Sequence, residues 1–115
     1  MNHDVVAEIK IVPLGTAGTG LSRYVAACTE VLERAPDVRH ELGAMGTVVQ
    51  GKLDRVLELA RQMHEVPFGL GAARVLTTIS IDDRRDRALS IEGKVRSAEI
   101  ARDAREIARP KKDSI

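Results

Sequence analysis

The sequence predicts an α+β domain of the ferredoxin-like kind: βαββαβ order, a four-stranded antiparallel sheet, two helices on one face, and a short C-terminal helix. Two observations predict it. Apolar and polar residues alternate with period two in Val5–Leu14, Val38–Gln50 and Arg74–Asp82, and two stripes of helical period lie between these segments.

In the first strand, Val5, Ala7, Ile9 and Ile11 form one face, and Val6, Glu8, Lys10 and Val12 the other. Gly15-Thr16-Ala17-Gly18-Thr19-Gly20 breaks it, and a threonine hydroxyl there is expected to cap a helix beginning beside Thr19. That helix carries Leu21, Tyr24, Val25, Cys28, Val31, Leu32 and Ala35 and ends at Pro36-Asp37. Val38, His40, Leu42 and Ala44 then alternate with Arg39, Glu41, Gly43 and Met45, and the chain returns through Thr47–Gln50 as a hairpin. After Gly51 the stripe Leu53, Val56, Leu57, Ala60 and Met63 predicts the second helix, which Pro67 should kink or shorten. Val75, Thr77, Ile79 and Ile81 alternate with Leu76, Thr78, Ser80 and Asp82 in the last strand. The predicted division is a domain over 1–97 and an extension over 98–115, in which Ala98, Ile100, Ala101, Ala104, Ile107 and Ala108 form a short helix before a frayed tail from Pro110.

The 115 residues suit one domain, and 18 basic against 17 acidic side chains give a net charge of +1. That balance argues against nucleic acid or an anionic membrane as partner. No apolar run approaches the ~20 residues of a membrane span, and Met1-Asn2-His3-Asp4 lacks the basic start of a secretory signal. A cytoplasmic protein is expected. Cys28, the single cysteine, cannot form an internal disulfide and reads as a small buried hydrophobe.

With two helices on one side, the other sheet face is open. It is expected to carry Val6, Glu8, Lys10, Val12, Arg39, Glu41, Met45, Leu76, Thr78 and Ser80. Apolar groups among paired charges point to a subunit contact, with two-fold pairing as the first expectation.

Linked motifs run in order along most of the chain. They are Val12-Pro13-Leu14-Gly15-Thr16, Gly18-Thr19, Leu21-Ser22, Tyr24-Val25, Met45-Gly46-Thr47-Val48, Met63-His64-Glu65, Thr77-Thr78-Ile79, Ile81-Asp82-Asp83-Arg84-Arg85-Asp86 and Glu92-Gly93-Lys94-Val95. In these the sequence resembles the thiamine-binding-protein-like family of small ferredoxin-like proteins. The resemblance implies homodimers or dimers of dimers, a thiamine or hydroxymethylpyrimidine ligand, and no established catalysis.

The candidate ligand residues are Glu8, Thr16, Thr19, Ser22, Glu41, Met45, Gly46, Thr47, Thr78 and Arg84. Thr16, Thr19 and Ser22 would act at a helix N-terminus, although capping alone accounts for them. Gly46 permits close backbone approach and Thr47 offers a hydroxyl, in what is otherwise an ordinary turn. Glu8 and Glu41 suit an aminopyrimidine edge or a thiazolium charge, yet each can simply pair with Lys10 or Arg39. Arg84 and Arg85 can hold a phosphate or belong to a solvated charge run. His3, His40 and His64 lack metal-ligand spacing, and Asp82 and Asp83 lack a nucleophile or metal partner, so neither a catalytic set, a metal nor a cofactor is expected. Two other functions compete. One is a regulatory or structural oligomer subunit without a thiamine ligand; the other is an RNA-binding module of the same topology, which would need sheet aromatics.

Overall fold

In the computed structural model, which describes residues 3–108, the alternating N-terminal segment is β1, Val5–Leu14. The elements that follow are α1 (Ser22–Glu33), β2 (Arg39–Leu42), β3 (Thr47–Gly51), α2 (Leu53–Gly69), β4 (Arg74–Asp82) and α3 (Ile91–Ala108). The sheet order is β2-β3-β1-β4 with every pairing antiparallel, so the ferredoxin-like topology is present.

Alternation decides which side chains meet the helices. Val5, Ala7 and Ile9 of β1 and Val49 of β3 are buried against Cys28 and Leu32 of α1 and against Val56, Leu59, Ala60 and Met63 of α2. Gly51 is part of this packing, because a Cβ there would stand 2.7 Å from Val38 Cγ1. The hairpin closes with the Gly43 N–H donating to the Gly46 carbonyl at 2.8 Å.

Four local expectations are corrected. Thr19 does not cap α1: the N-cap residue is Leu21, which makes no side-chain capping bond, and Gly15 and Gly18 at φ 72° and 86° carry the chain into the helix. On α2, Leu57 is exposed and Leu59 is buried, since the core face follows Val56, Leu59, Ala60, Met63 and Pro67 at three- and four-residue steps. Pro67 does not shorten α2 ahead of itself: it stands inside the helix, which continues to Gly69. Proline lacks the N–H that would bond the Met63 carbonyl four residues back; the Cys28 thiol points at that oxygen instead, Sγ to O 3.5 Å. Burial raises the Cys28 pKa and keeps the thiol protonated as a donor.

The fourth correction concerns the C-terminal helix, which is not short. It has 18 residues and begins at Ile91, where the Ser90 hydroxyl accepts the Gly93 N–H at 2.8 Å as an N-cap. The expected segment Ala98–Ala108 is its later part; the tail from Pro110 lies outside the described residues. Ile91 is 5% exposed, and Val6, which neither α1 nor α2 can reach, is 6% exposed. The start of α3 therefore lies across one end of the open face. Further along α3, Ile100 and Ile107 are exposed, Ile107 at 87%. Among the described residues no helix is long and apolar enough to cross a membrane.

Candidate functional site

The register sorts the open face into rows. One row crosses all four strands as Glu41, Val48, Glu8 and Ser80. The next is Arg39, Gln50, Val6 and Asp82, and on the other side Lys10 stands beside Thr78 and Val12 beside Leu76. Glu8 and Glu41 are thus brought onto one face with Val48 between them. Each has the basic neighbour that its strand offers: Lys10 Nζ is 3.5 Å from Glu8, and an Arg39 nitrogen is 3.9 Å from Glu41. These pairs are half-exposed and long, so each contributes at most ~1 kcal/mol and a ligand can replace it at small cost.

The start of α3 is fixed over the second row. Gln50 acts as a pivot, its side-chain oxygen accepting the Ile91 N–H at 3.0 Å while its side-chain nitrogen donates to Asp4 at 3.0 Å. That bond, followed by Lys52, holds the Asp4 carboxyl below its ordinary 3.8. Glu92 pairs with Arg39, and Lys94 with Asp82. Between α3 and the first row lies a groove of about 420 Å³, with Val6, Glu8, Val48, Glu41 and Ser80 in its floor and Lys94 and Val95 in its wall. That volume is within the range of small-molecule sites. At the other end of the row the hairpin closes in, and a Cβ on Gly46 would stand 3.0 Å from Lys10 Cγ and 3.1 Å from Glu8 Cγ.

The remaining candidate residues disperse. Thr78 stays on the open face beside Lys10, and Met45 projects from the hairpin. Thr47 is buried on the helix side, paired with Ile9 rather than turned toward Glu8. Thr16 lies beyond the opposite end of β1 from Val6. Thr19 and Ser22 border a separate, wide hollow of about 1090 Å³ along the flank of α1, lined mainly by apolar residues such as Leu21, Val25 and Leu42. Its lining, acidic only at Glu30 and Glu33, lacks the opposed charges of the sheet groove. Arg84 donates to Asp86 at 2.5 and 2.8 Å, beside the groove rather than in it, and Arg85 turns away to Asp83 at 3.0 Å. Lys94, Val95 and Gln50 were missed as site residues; the legible signal was Ser90-Ile91-Glu92, a capping serine followed by an acid in a first turn.

Other side chains have structural partners. His64 Nδ1 is 2.6 Å from Thr77 Oγ1 and its ring meets Phe68 edge-on; His3 Nε2 is 2.9 Å from Asp83. No group of three or more metal-ligating side chains gathers among the described residues. Tyr24 and Phe68 lie on α1 and α2, so the sheet offers no aromatic platform for RNA bases.

Comparison with known proteins bears on the family and the fold. The signature of the family described as "Thiamine-binding protein" matches residues 7–99. The chain belongs to that family. Its relatives include a UPF0045 protein of Methanothermobacter thermautotrophicus, 43% identical over 94 residues that cover 81% of this chain and 94% of that one. Another is the Bacillus subtilis UPF0045 protein YqgV, 36% identical and covering 80% of this chain and 91% of the relative. Among solved structures, a hypothetical protein from Methanocaldococcus jannaschii superposes with a TM-score of 0.78 at 36% identity, over 84% of this chain and 97% of that one. A Thermotoga maritima protein assigned provisionally to thiamine biosynthesis or salvage shares the fold, with a TM-score of 0.68 at 21% identity over 83% of this chain and 98% of the other.

Proposed function

We propose that the protein is a non-enzymatic, cytoplasmic binder of thiamine or its hydroxymethylpyrimidine part, and that the ligand occupies the groove between the open sheet face and α3. The observation that carries this reading is the row Glu41, Val48, Glu8 and Ser80 beneath α3. An aminopyrimidine presents an amine that a carboxylate accepts and ring nitrogens that a hydroxyl can reach, while Val6, Val48 and Val95 supply apolar contact for the flat ring. The carboxylates also suit the cationic thiazolium. Family membership supports the ligand class.

A second copy of the chain fits beside this groove. β4 forms an outer edge of the sheet, with Leu76, Ile79 and Ile81 partly exposed along it. Long apolar edges pair readily, so two copies joined here would bring their grooves into one assembly. Calorimetry with thiamine and with hydroxymethylpyrimidine tests the reading. Saturable binding, weakened about tenfold by Glu8→Gln through loss of a charge-assisted hydrogen bond, supports it. Absence of binding at millimolar ligand overturns it.

A further inference from the structure

The groove has a neighbour at Lys94. On the far side of the Lys94–Asp82 pair a second hollow of about 350 Å³ opens, lined by Arg84, Arg87, Ser90, Gly93, Lys94 and Ser97. Asp82 and Lys94 belong to the walls of both, so the two hollows adjoin at that ion pair. Chemistry changes sign between them: Glu8 and Glu41 line one hollow, Arg84 and Arg87 the other, and the mixed pair belongs to both.

We infer that the two adjoining hollows together take the phosphate ester of the ligand, the cationic ring system lying over the carboxylate row and the phosphate lying in the hollow of Arg84, Arg87 and Lys94. This rests on the thiamine reading above and narrows its ligand class. A phosphate monoester brings about −1.5 to −2 charge and three acceptor oxygens. Two guanidiniums, an ammonium and the hydroxyls of Ser90 and Ser97 are the donors such a group requires. Ser90 Oγ already accepts the Gly93 N–H, and its own proton remains available to an anion.

The counter-charges are few and movable. Asp86 is held by Arg84 and Asp82 by Lys94, all four side chains being more than two-fifths exposed. Exposed pairs of this kind are weak, so a dianion can take the cations while Asp82 turns toward the thiazolium. Arg87 makes no ion pair among the described residues. An uncharged or purely cationic ligand leaves all of these donors unused.

The test measures affinities of thiamine, thiamine monophosphate and inorganic phosphate for the whole chain and for the double variant Arg84→Ala/Arg87→Ala. Both side chains are exposed, and circular dichroism and thermal melting check that the variant keeps its fold. The expected result is that thiamine monophosphate binds at least about tenfold more tightly than thiamine, the difference of a charge-assisted anion contact. In the double variant the two should bind alike, with thiamine changed less than about twofold. Equal affinities in the unaltered protein, or an equal loss of both ligands in the variant, overturns the phosphate site without overturning the thiamine reading. Binding of neither organic ligand overturns the thiamine reading and the ester with it. Raised thermal stability in inorganic phosphate that the double variant loses then shows that the anion hollow still stands by itself.

Discussion

At the scale of the residue, a few side chains determine whether the groove exists. Gln50 bridges Asp4 and the first N–H of α3, so Gln50→Ala removes both bonds and frees the helix start. Its cost is about 1–3 kcal/mol, and amide exchange at Ile91 and its neighbours should rise; unchanged exchange would mean that Ile91 packing alone holds α3. Gly51 tests the core beneath. With Val38 Cγ1 at 2.7 Å from its would-be Cβ, Gly51→Ala should destabilise the fold by about 1–3 kcal/mol through overpacking, measured by urea unfolding. The carboxyl of Asp86, held down to about 2 by Arg84, gives a pH signature. A depressed carboxylate favours the paired loop above the ordinary 3.8 and loses that contribution as pH falls through 2. Carboxyl NMR titration should show a midpoint near 2 in the unaltered chain, moving up toward 3.8 in Arg84→Ala.

At the scale of the element, the strands were the most legible parts of the sequence. Period-two alternation assigned Val5, Ala7 and Ile9 to the core and Glu8, Glu41 and Ser80 to the opposite face, because a strand has only two sides. Helix faces were harder to read: Leu57 and Leu59 are both leucines near the edge of a stripe, and only packing separates them. Pro67 misled for a specific reason. Its missing donor is compensated by a thiol on another helix, 35 residues closer to the N-terminus in number than Met63, and local sequence does not contain that contact. The early start of α3 was hidden because Ile91 is its only buried residue, too little for a stripe. In the proposed site α3 is a wall, and removal of the chain from Ser90 onward should expose Val6 and abolish thiamine binding while the βαββαβ body stays folded. Retained affinity in the truncated protein would show that α3 is no wall of the site.

At the scale of the whole molecule, the helices that bury the core leave one sheet face for function, and α3 divides that face into a covered end, a groove and an exposed remainder. Sequence alternation located the acidic row; it could not locate Lys94 or Val95 over that row, because their placement depends on how 83–90 turns the chain back across the sheet. The glycine loop and the hairpin turn suggested Thr16, Thr19, Ser22 and Thr47 as further candidates, whereas the structure sends them to the loop, the α1 flank and the core side. The β4 edge gives a separate prediction for assembly. Ile79→Lys places a charge on that strand, and light scattering should report a smaller particle than the unaltered chain forms, since charged edges resist pairing. An unchanged mass would move the contact elsewhere.

The central claim is that the ligand lies between the sheet and α3, and an amide NMR titration of the full chain with thiamine tests it most directly. The account predicts saturable shifts concentrated at Glu8, Glu41, Val48, Ser80, Lys94 and Val95. Shifts concentrated instead at Thr19, Ser22 and Val25 along the α1 flank, or none at millimolar thiamine, would contradict it.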